Sequence, residues 1–244
     1  MLKAAIEKIQ EMAAKPERFS IDGHEFVMDS TGGYAEIKPD LEYPESIVLN
    51  SLDALIRFVK KEALVANDVV FITIPDHETV SCFTAPVREL RWNRVYLYTA
   101  KATDVPGWGK EVKMGFEEAM IALRTRFTPT PDTDYALRLL SSITTGGKVT
   151  FNDNGVATSI VTQKGIALQE NTEIRPIVRL SPYRTFQEVL QPESQFLIRV
   201  SERAITIVEA DGGMWKLQAR RNIMQFIGTE LAEEIESGKV VLTM

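Results

Sequence analysis

The sequence predicts an α+β protein, in which antiparallel sheets built from hairpins pack against helices and an amphipathic helix follows near the C-terminus. Strand patterns occur in pairs separated by turn residues, and the few helical patterns lie between those pairs. The chain does not alternate regularly between one strand and one helix. Strands clustered in hairpins favour antiparallel sheets, whereas a doubly wound parallel sheet requires that regular alternation.

The N-terminal part begins with a helical pattern followed by short strands. Apolar residues recur at helical spacing over residues 2–14, and Pro16 ends the pattern. Over residues 18–39, short apolar runs are separated by turn signals at Asp22-Gly23 and Gly32-Gly33. The sequence therefore predicts one amphipathic helix and then a small set of strands.

A second helix and a buried strand are predicted next. Residues 50–64 carry an apolar stripe at helical spacing, and Asn50 or Ser51 can cap this helix. The run DVVFITIP is uninterrupted and β-branched, which is typical of a strand covered on both faces. The run ETVSCFTAPV follows it and supplies a hairpin partner.

The segment RWNRVYLYTAK combines aromatic and basic residues in a strand pattern. A period of two places Trp92, Arg94, Tyr96 and Tyr98 on one face of the strand. Aromatic side chains on an open sheet can stack on the bases of single-stranded nucleic acid, so these four residues form a candidate nucleic-acid face. The alternative is that an overlying helix covers the aromatic rings.

Two further helices are predicted near the middle of the chain. Residues 116–127 and 133–144 show helical periodicity, and Thr133 or Asp134 can cap the second of these helices.

The segment between these two helices is the predicted domain boundary. Thr128–Pro131 reads TPTP, and its prolines interrupt regular structure. A cut there gives an N-terminal α+β part, residues 1–127, and a C-terminal α+β part, residues 132–244. One continuous domain is the alternative.

The C-terminal part is predicted to be mainly β and to close with a helix. Asn154-Gly155 is the strongest short-range turn signal in the chain, because both residues tolerate positive φ, and it predicts a hairpin over residues 147–165. Further strands are predicted in IRPIVRLSPYRTF, QFLIRV and AITIVEAD. The final helix is predicted from about Trp215 to Ile235, with one apolar stripe.

Composition argues against several classes of protein. The 244-residue chain is 44% hydrophobic and 25% charged, as ordinary globular proteins are. No apolar run reaches the roughly 20 residues that cross a bilayer, and the N-terminus lacks the apolar block of a signal peptide. We therefore expect a cytoplasmic protein without a membrane partner. A single cysteine, Cys82, excludes an internal disulfide.

The charge is negative overall and uneven along the chain. A formal net charge of −6 argues against a protein that coats DNA regardless of sequence, because that function needs a broad basic surface. Residues 175–221 carry eight Lys and Arg against five Asp and Glu, whereas residues 15–46 carry three against eight. Two opposite patches suit a homo-oligomer, and solvated charge without a partner is the alternative.

The sequence lacks the motifs of several common active sites. It contains no G-x-x-x-x-G-K-[ST], G-x-G-x-x-G, H-E-x-x-H or G-x-S-x-G pattern. Its two histidines, His24 and His77, nearly exclude a multi-histidine metal site or a histidine-based triad. Glu209 and Asp211 could bind Mg²⁺ or exchange protons, or Asp211 could simply accept backbone N–H bonds in the turn at Gly212-Gly213. We expect no metal, no cofactor and no catalytic residue, and hence a protein that is not an enzyme.

An arginine-rich stretch near the C-terminus supplies the candidate ligand-binding residues. Arginine grips phosphate or carboxylate with two hydrogen bonds and also stacks on aromatic rings, so an anion such as a nucleotide is a possible ligand. The candidates are Arg179, Tyr183, Arg184, Arg220 and Arg221. In the alternative interpretation, Arg184 pairs with Glu188 or Glu193 and has a structural role.

The same stretch carries a resemblance to phage proteins. PYRTFQEVLQPESQFLIRV, then VEADGGMWKL and a closing amphipathic helix, resembles a family encoded by tailed phages and prophages of Gram-positive bacteria. Upstream, LNSLDALIRFVKK followed by a buried strand is similar to the N-terminal part of that family. The resemblance is densest from Pro176 to Phe226, and the element order more distantly resembles the YfdQ-like prophage proteins, a family of unknown function. It implies a bacteriophage protein made in the infected cell, and it assigns no catalytic residue.

Several functions are compatible with these observations. The first is a non-catalytic phage protein that self-assembles and binds a ligand or macromolecule in the infected cell. The second is an accessory factor for phage recombination or replication that binds single-stranded nucleic acid through the candidate nucleic-acid face. The third is a counter-defence protein that sequesters a host nucleotide signal on its arginines. A metal-dependent hydrolase built on Glu209 and Asp211 is the weakest hypothesis.

Overall fold

The structure of the protein is a computed structural model. It describes residues 3, 6, 18–22, 24–28, 33–37, 44–90, 92–145, 148–153, 158–164, 168–173, 175–201 and 203–244. The chain divides into two compact units, Met1–Pro44 and Glu45–Met244. The boundary predicted at Thr128–Pro131 falls inside the larger unit, where the backbone N–H of Thr128 donates to the carbonyl of Ser181 at 2.9 Å.

The smaller unit contains an antiparallel sheet of three short strands. Its strands are β1 (Arg18–Ile21), β2 (His24–Met28) and β3 (Tyr34–Ile37), paired in that order. Phe19 stacks on Phe26 with ring centroids 5.4 Å apart, and Tyr34 packs edge-on against Phe19 at 4.9 Å. The predicted strands of this region are confirmed. Lys3 and Ile6 are helical, and the rest of the predicted helix over residues 2–14 lies outside the described residues.

The larger unit contains most of the regular structure. In chain order its strands are β4 (Ile47–Leu49), β5 (Val70–Thr73), β6 (Thr79–Thr84), β7 (Tyr96–Lys101), β8 (Glu111–Met114), β9 (Lys148–Asp153), β10 (Thr158–Lys164), β11 (Leu168–Glu173), β12 (Ile177–Leu180), β13 (Ser194–Val200), β14 (Ile205–Glu209) and β15 (Val240–Thr243). Its helices are α1 (Leu52–Phe58), α2 (Leu64–Ala66), α3 (Phe116–Thr125), α4 (Pro131–Thr145), α5 (Trp215–Glu230) and α6 (Ala232–Glu236), with a π-helical turn at Val59–Ala63 and a 3₁₀ turn at Arg88–Leu90. The protein is therefore α+β with sheets that are mainly antiparallel, as predicted.

A five-stranded sheet in the order β15-β5-β6-β7-β4 forms the first core. The three central strands are antiparallel, whereas both edge strands pair in parallel with their neighbours. Leu55 and Val59 from the first helical segment, and Ile223 and Ile227 from α5, are buried in one cluster with Ile72 and other sheet residues. Val70 and Ile72 of β5 are buried in this cluster, whereas Phe71 and Thr73 are half-buried on the opposite face, so the strand is fully covered on one face and not on both as predicted.

The capping residues at α1 come from both local and distant sequence. Ser51 caps this helix as predicted, since its Oγ accepts the Ala54 N–H at 3.1 Å. Glu188 provides a second cap, because its Oε1 accepts the N–H of Leu52 at 2.7 Å. The loop that follows β12 is thereby attached to the N-terminus of α1.

A four-stranded antiparallel sheet in the order β12-β13-β14-β8 forms the second core. Its buried residues pack against α3 and α4, with Phe196 and Ile205 of the sheet in one cluster with Leu123 and Leu140 of the helices. The helix α4 begins at Pro131, earlier than predicted. The expected cap at Thr133 or Asp134 is wrong, because Thr130 accepts the Thr133 N–H through Oγ1 at 3.1 Å and proline is favoured at a first helical position.

The strands β9, β10 and β11 form a third, antiparallel sheet in the larger unit. The predicted hairpin over residues 147–165 is confirmed in the pairing of β9 with β10, and its Asn154-Gly155 turn lies outside the described residues. Within the described ranges, no helix has the length and apolarity needed to span a membrane.

A β-bulge in β7 divides the predicted aromatic face. Cys82 pairs with Tyr98, but the next residue, Phe83, pairs with Tyr96, so Leu97 is an extra residue in the ladder. Because a bulge breaks the strict alternation of side chains, Tyr98 turns towards the helices and is only 3% exposed, whereas Tyr96 is 58% exposed. The prediction that Tyr98 shares a face with Tyr96 is wrong for this reason.

The environment of Cys82 makes its thiol a probe of unfolding. Cys82 is buried in the middle of the five-stranded sheet, and this burial raises the pKa of its thiol to about 12. We expect Cys82 to react with an aromatic disulfide reagent at least about a thousandfold more slowly in the native protein than in the denatured protein. Only a thiolate attacks the disulfide of the reagent, and the reagent reaches Cys82 only after the sheet opens.

A control for this measurement places the thiol at the surface. In a Cys82→Ala/Val65→Cys variant, the new thiol should react rapidly, because Val65 is 80% exposed. Rapid reaction of native wild-type protein would contradict the burial of Cys82.

Candidate functional site

A cleft of about 690 Å³ lies among the connections between the two larger sheets. His77 and Glu78 reach it from the β5–β6 turn, and residues 102–110 reach it from the connection between β7 and β8. Arg184 enters from the loop after β12, and residues 209–216 complete the lining from the end of β14 to the start of α5. The cleft therefore combines segments that are far apart in sequence.

The turn between β14 and α5 is shaped by glycine and by Asp211. Gly212 and Gly213 have φ angles of +65° and +82°, a region that favours glycine. Asp211 accepts the Gly213 N–H at 3.0 Å and the Trp215 N–H at 3.3 Å. Burial raises the pKa of Asp211, but hydrogen bonds from Glu209 and from these N–H groups outweigh it and lower the pKa below its ordinary value. The interpretation of Asp211 as a turn residue is confirmed.

Arg184 is the buried cation of the cleft. Only 3% of the residue is exposed, and its guanidinium stacks on the ring of Trp215 with 3.8 Å between the guanidinium carbon and the ring centroid. Its Nη2 donates to the Ser194 hydroxyl, and its Nη1 lies 3.8 Å from Glu209 Oε1, beyond hydrogen-bonding distance. Within the described part of the chain, Nε and Nη1 have no hydrogen-bond partner.

The guanidinium of Arg184 keeps its charge at neutral pH. Burial lowers its pKa to about 10, while the carboxylates of Glu209 and Asp211 act in the opposite direction. A buried charge with few hydrogen bonds is costly, so this residue needs partners that the surrounding side chains do not fully supply.

The loop that carries Arg184 is held by Gln191. The Gln191 Oε1 accepts the backbone N–H groups of Arg184 at 3.0 Å and of Thr185 at 3.3 Å, and its Nε2 donates to the Phe186 carbonyl at 2.8 Å. The Thr185 hydroxyl donates to the His77 carbonyl at 2.5 Å. These bonds fix the backbone of Arg184 against the β5–β6 turn.

The predicted structural partners of Arg184 are not the observed ones. Glu188 caps α1 through Leu52, and the carboxylate nearest to the guanidinium is Glu209 instead of Glu188 or Glu193. The proximity of Glu188 and Glu193 to Arg184 in the sequence predicts a pair within one loop. The fold instead places Glu209, at the end of β14, next to the guanidinium.

Burial shifts the pKa values of Glu209 and His77 in opposite directions. Burial and a hydrogen bond with Asp211 raise the pKa of Glu209, although Arg184 opposes this shift. Burial lowers the pKa of His77, although the neighbouring Glu78 opposes this shift. The His77 ring packs edge-to-face on Trp215 with centroids 4.6 Å apart.

Two tryptophans give the cleft aromatic walls. Trp108 packs edge-to-face against Phe127 with centroids 4.6 Å apart, and Trp215 carries Arg184 on its ring. The indole Nε1 of Trp108 is buried and has no hydrogen-bond partner among the described residues, whereas hydrogen bonding from Trp215 acts to lower the pKa of Glu209. Lys216 lies near the same ring, with its Nζ 5.7 Å from the Trp215 centroid.

Of the five predicted ligand-binding residues, only Arg184 lines the cleft. Arg179 is exposed in β12, where its backbone N–H donates to Asp132 Oδ2 at 2.7 Å. Arg220 donates from Nε to the Ile74 carbonyl at 3.0 Å, and Arg221 is exposed on α5. Tyr183 bonds to the Arg126 carbonyl through its backbone N–H at 2.9 Å. The structure therefore does not join these arginines in one site.

Two of the four residues predicted for the candidate nucleic-acid face, Arg94 and Tyr96, lie against the same ring, that of Phe83. Trp92 lies in the turn before β7 with a φ of +62°, because the strand begins only at Tyr96. Trp92 is 66% exposed, and Tyr96 is also exposed. Arg94 lies over the ring of Phe71, with 4.4 Å between the guanidinium carbon and the ring centroid, and also donates to the Thr84 carbonyl at 3.1 Å. Tyr98 is absent from this face, because it packs beneath α1 against Phe58 at 5.1 Å.

The predicted site residues do not include the tryptophans and lysines of the cleft, although two similar glycine-containing segments carry them. PGWGK and DGGMWK each combine glycines with a tryptophan followed by a lysine, and both segments line the cleft. Their residues are Trp108 and Lys110 in the first segment and Trp215 and Lys216 in the second. Glycine-rich turns bearing an aromatic and a cation are typical of binding loops.

Comparison with protein-family models, with curated proteins and with solved structures finds no match to this chain. Among the described residues, no group of three or more His, Cys, Asp or Glu is placed to hold a metal ion.

The weak pairing of Arg184 with Glu209 predicts an unusual stability result. We expect an Arg184→Met/Glu209→Gln variant to unfold in urea with a free energy within about 1 kcal/mol of wild type or above it, because a pair 3.8 Å apart recovers little of its desolvation cost. Glu209→Gln alone should lower this free energy by about 1–3 kcal/mol, since it leaves the guanidinium without its nearest carboxylate. A loss of about 3 kcal/mol or more in the double variant would instead make the pair a structural element.

Proposed function

We propose that the protein binds a small anionic ligand in the cleft and does not transform it. The observation that supports this most directly is the guanidinium of Arg184, which is buried beside the cleft with Nε and Nη1 unpartnered among the described residues. Buried polar groups in proteins are nearly always hydrogen-bonded, so an unpartnered buried cation calls for an outside acceptor. A phosphate or carboxylate group is the acceptor that arginine binds best.

The charges around the cleft support an anionic ligand. Lys110, Arg184 and Lys216 are cationic, whereas Glu78 and Glu209 are the acidic residues of the lining. The lining therefore has one more basic residue than it has acidic residues, and this balance favours a ligand of opposite sign.

The N-terminus of α5 does not add to this preference, because an internal carboxylate already occupies it. Asp211 accepts the N–H groups of Gly213 and Trp215, and the N–H groups of Lys216 and Leu217 donate to the carbonyls of Gly213 and Met214. The preference for an anion therefore depends on Arg184 and on the lysines of the lining.

The resemblance over Pro176–Phe226 supports a role in a phage-infected cell. Arg184, Glu209, Trp215 and Lys216 all lie within that stretch. In this setting, the hypothesis that agrees best with the cleft is a binding protein that sequesters a small ligand such as a host nucleotide signal. Single-stranded nucleic acid is less well supported, because Arg94 lies over the rings of Phe71 and Phe83 and Tyr98 is buried, so only Trp92 and Tyr96 of the candidate face expose their rings.

Thermal unfolding in the presence of anions tests the proposal. We expect at least one compound in a panel of carboxylates, sulfates and phosphates, with and without aromatic rings, to raise the Tm of the wild-type protein, because a ligand that binds only the folded state stabilises it. The Arg184→Met/Glu209→Gln variant should show no such rise.

The matched control is Arg179→Met, which removes an exposed arginine outside the cleft. This variant should respond to the ligand as the wild type does. The proposal is wrong if no anion stabilises the wild type, or if the double variant is stabilised equally.

Self-association is a second proposal, and uneven charge supports it. Residues 15–46 are acidic in balance and residues 175–221 basic. Several cations of the basic stretch, among them Arg175, Arg199 and Arg221, have exposed side chains. Patches of opposite sign on each copy can attract one another.

Light scattering at two salt concentrations measures this association. We expect a discrete oligomer at low ionic strength that dissociates as added salt shortens the Debye length from about 30 Å to about 8 Å. An Arg199→Gln/Arg221→Gln variant should dissociate at lower salt than the wild type. A wild-type monomer at micromolar concentration in low salt would overturn the proposal.

A further inference from the structure

We infer that the cleft takes a phosphate monoester of a flat heterocycle, the chemical class of the nucleoside monophosphates. This inference rests on the proposed function and narrows its ligand. Two features carry it: a cluster of cationic groups at one side of the cleft, and an indole with unused hydrogen-bonding capacity at another.

The cationic side of the cleft fits a phosphate better than a carboxylate. The guanidinium carbon of Arg184 and the Nζ of Lys216 lie 3.8 Å and 5.7 Å from the centroid of the Trp215 ring. A phosphate monoester carries a charge of about −1.5 to −2 and three acceptor oxygens, whereas a carboxylate carries a single charge. Two cations beside one ring therefore match the phosphate.

The geometry of this side leaves room for the phosphate. A Cβ added at Gly212 or Gly213 would meet no atom within 4 Å, so the turn next to α5 is open. Arg184 itself is fixed by its stacking on Trp215 and by its bond to Ser194, which orients the unpartnered nitrogens before a ligand arrives. A pre-oriented donor loses little entropy on binding.

The other side of the cleft fits an aromatic ring. The Trp215 ring already contacts the Arg184 guanidinium and the His77 ring, whereas Trp108 packs edge-to-face against Phe127. Trp108 is therefore the indole that remains for stacking with a ligand, and a stacked base contributes about 1–3 kcal/mol in proteins that bind single strands. Gly107 and Gly109 flank this indole, and a Cβ at Gly107 would meet no atom within 4 Å.

The free indole N–H of Trp108 fits an acceptor on a heterocycle. Its Nε1 is a donor without a hydrogen-bond partner among the described residues, whereas the Trp215 indole interacts with the Glu209 side chain. A purine or pyrimidine carries acceptors of this kind on its ring. The volume of about 690 Å³ suits a ligand of this size, and a bare phosphate ion would fill little of it.

Tryptophan fluorescence with four nucleoside monophosphates, AMP, GMP, CMP and UMP, tests the inference. The matching nucleosides and inorganic phosphate are the comparison probes. We expect at least one nucleotide to quench wild-type fluorescence and to bind about tenfold or more tightly than both its nucleoside and inorganic phosphate. The chain has three tryptophans, so single variants identify the one that reports.

Two variants assign the two sides of the cleft. Trp108→Phe should lose most of the quenching, whereas Trp92→Phe, whose residue lies outside the cleft, should keep it. Lys216→Gln changes an exposed side chain and should weaken nucleotide binding about fivefold to tenfold by calorimetry without weakening the nucleoside. Lys113→Gln, which changes an exposed cation outside the cleft lining, is its control.

The outcomes separate this inference from the proposed function. If a nucleotide and its nucleoside bind equally well, the phosphate does not contribute to binding. If a nucleotide and inorganic phosphate bind equally well, the ring does not contribute. Either result overturns the inference. If no nucleotide binds but another anion of the thermal panel does, the inference fails and the proposed function stands. If no anion of any kind binds, both fail.

Discussion

The site depends on one buried cation whose partners come from three separate segments. Arg184 stacks on Trp215 from the first turn of α5, donates to Ser194 of β13, and lies 3.8 Å from Glu209 at the end of β14. Because a charge inside a protein is tolerated only where polar groups and aromatic faces surround it, these segments must keep one arrangement. Gln191 supports that arrangement by binding the backbone of the loop that carries Arg184.

The cleft is compatible with a stable fold because each of the two larger sheets has its own core. The five-stranded sheet packs against α1 and α5, and the four-stranded sheet packs against α3 and α4. Most residues of both clusters lie in strands and helices, so the connecting loops can contain positive-φ glycines and the partly exposed Trp108. Binding residues on loops that a rigid scaffold positions are common in proteins.

Burial and hydrogen bonding shift the pKa values of the ionisable groups in and beside the cleft. Burial raises the pKa of Glu209 and lowers that of His77, whereas the guanidinium of Arg184 keeps its charge because its lowered pKa is still about 10. Asp211 is the exception: burial opposes its ionisation, but hydrogen bonds lower its pKa and keep it a carboxylate in the turn before α5. The same fold separates Tyr98 from the other aromatic residues of its strand, so the cleft and not that strand is the better candidate site.

The sequence by itself determined the α+β class, the long strands and helices, the cap at Ser51 and the turn role of Asp211, because these features depend on neighbours within a few residues. Sequence patterns missed β4, β8, β11 and β15, all of which are edge strands of their sheets. Of these, β4, β8 and β15 have only three or four residues, too few to show a period of two. Only the tertiary structure decided that a bulge at Leu97 buries Tyr98, that Glu188 caps a helix 136 residues away, and that Arg184 meets Glu209 and Trp215 while the other candidate arginines remain apart. Such contacts depend on strand register and loop course, which are set by the packing of the whole unit and leave no periodic trace in the local sequence.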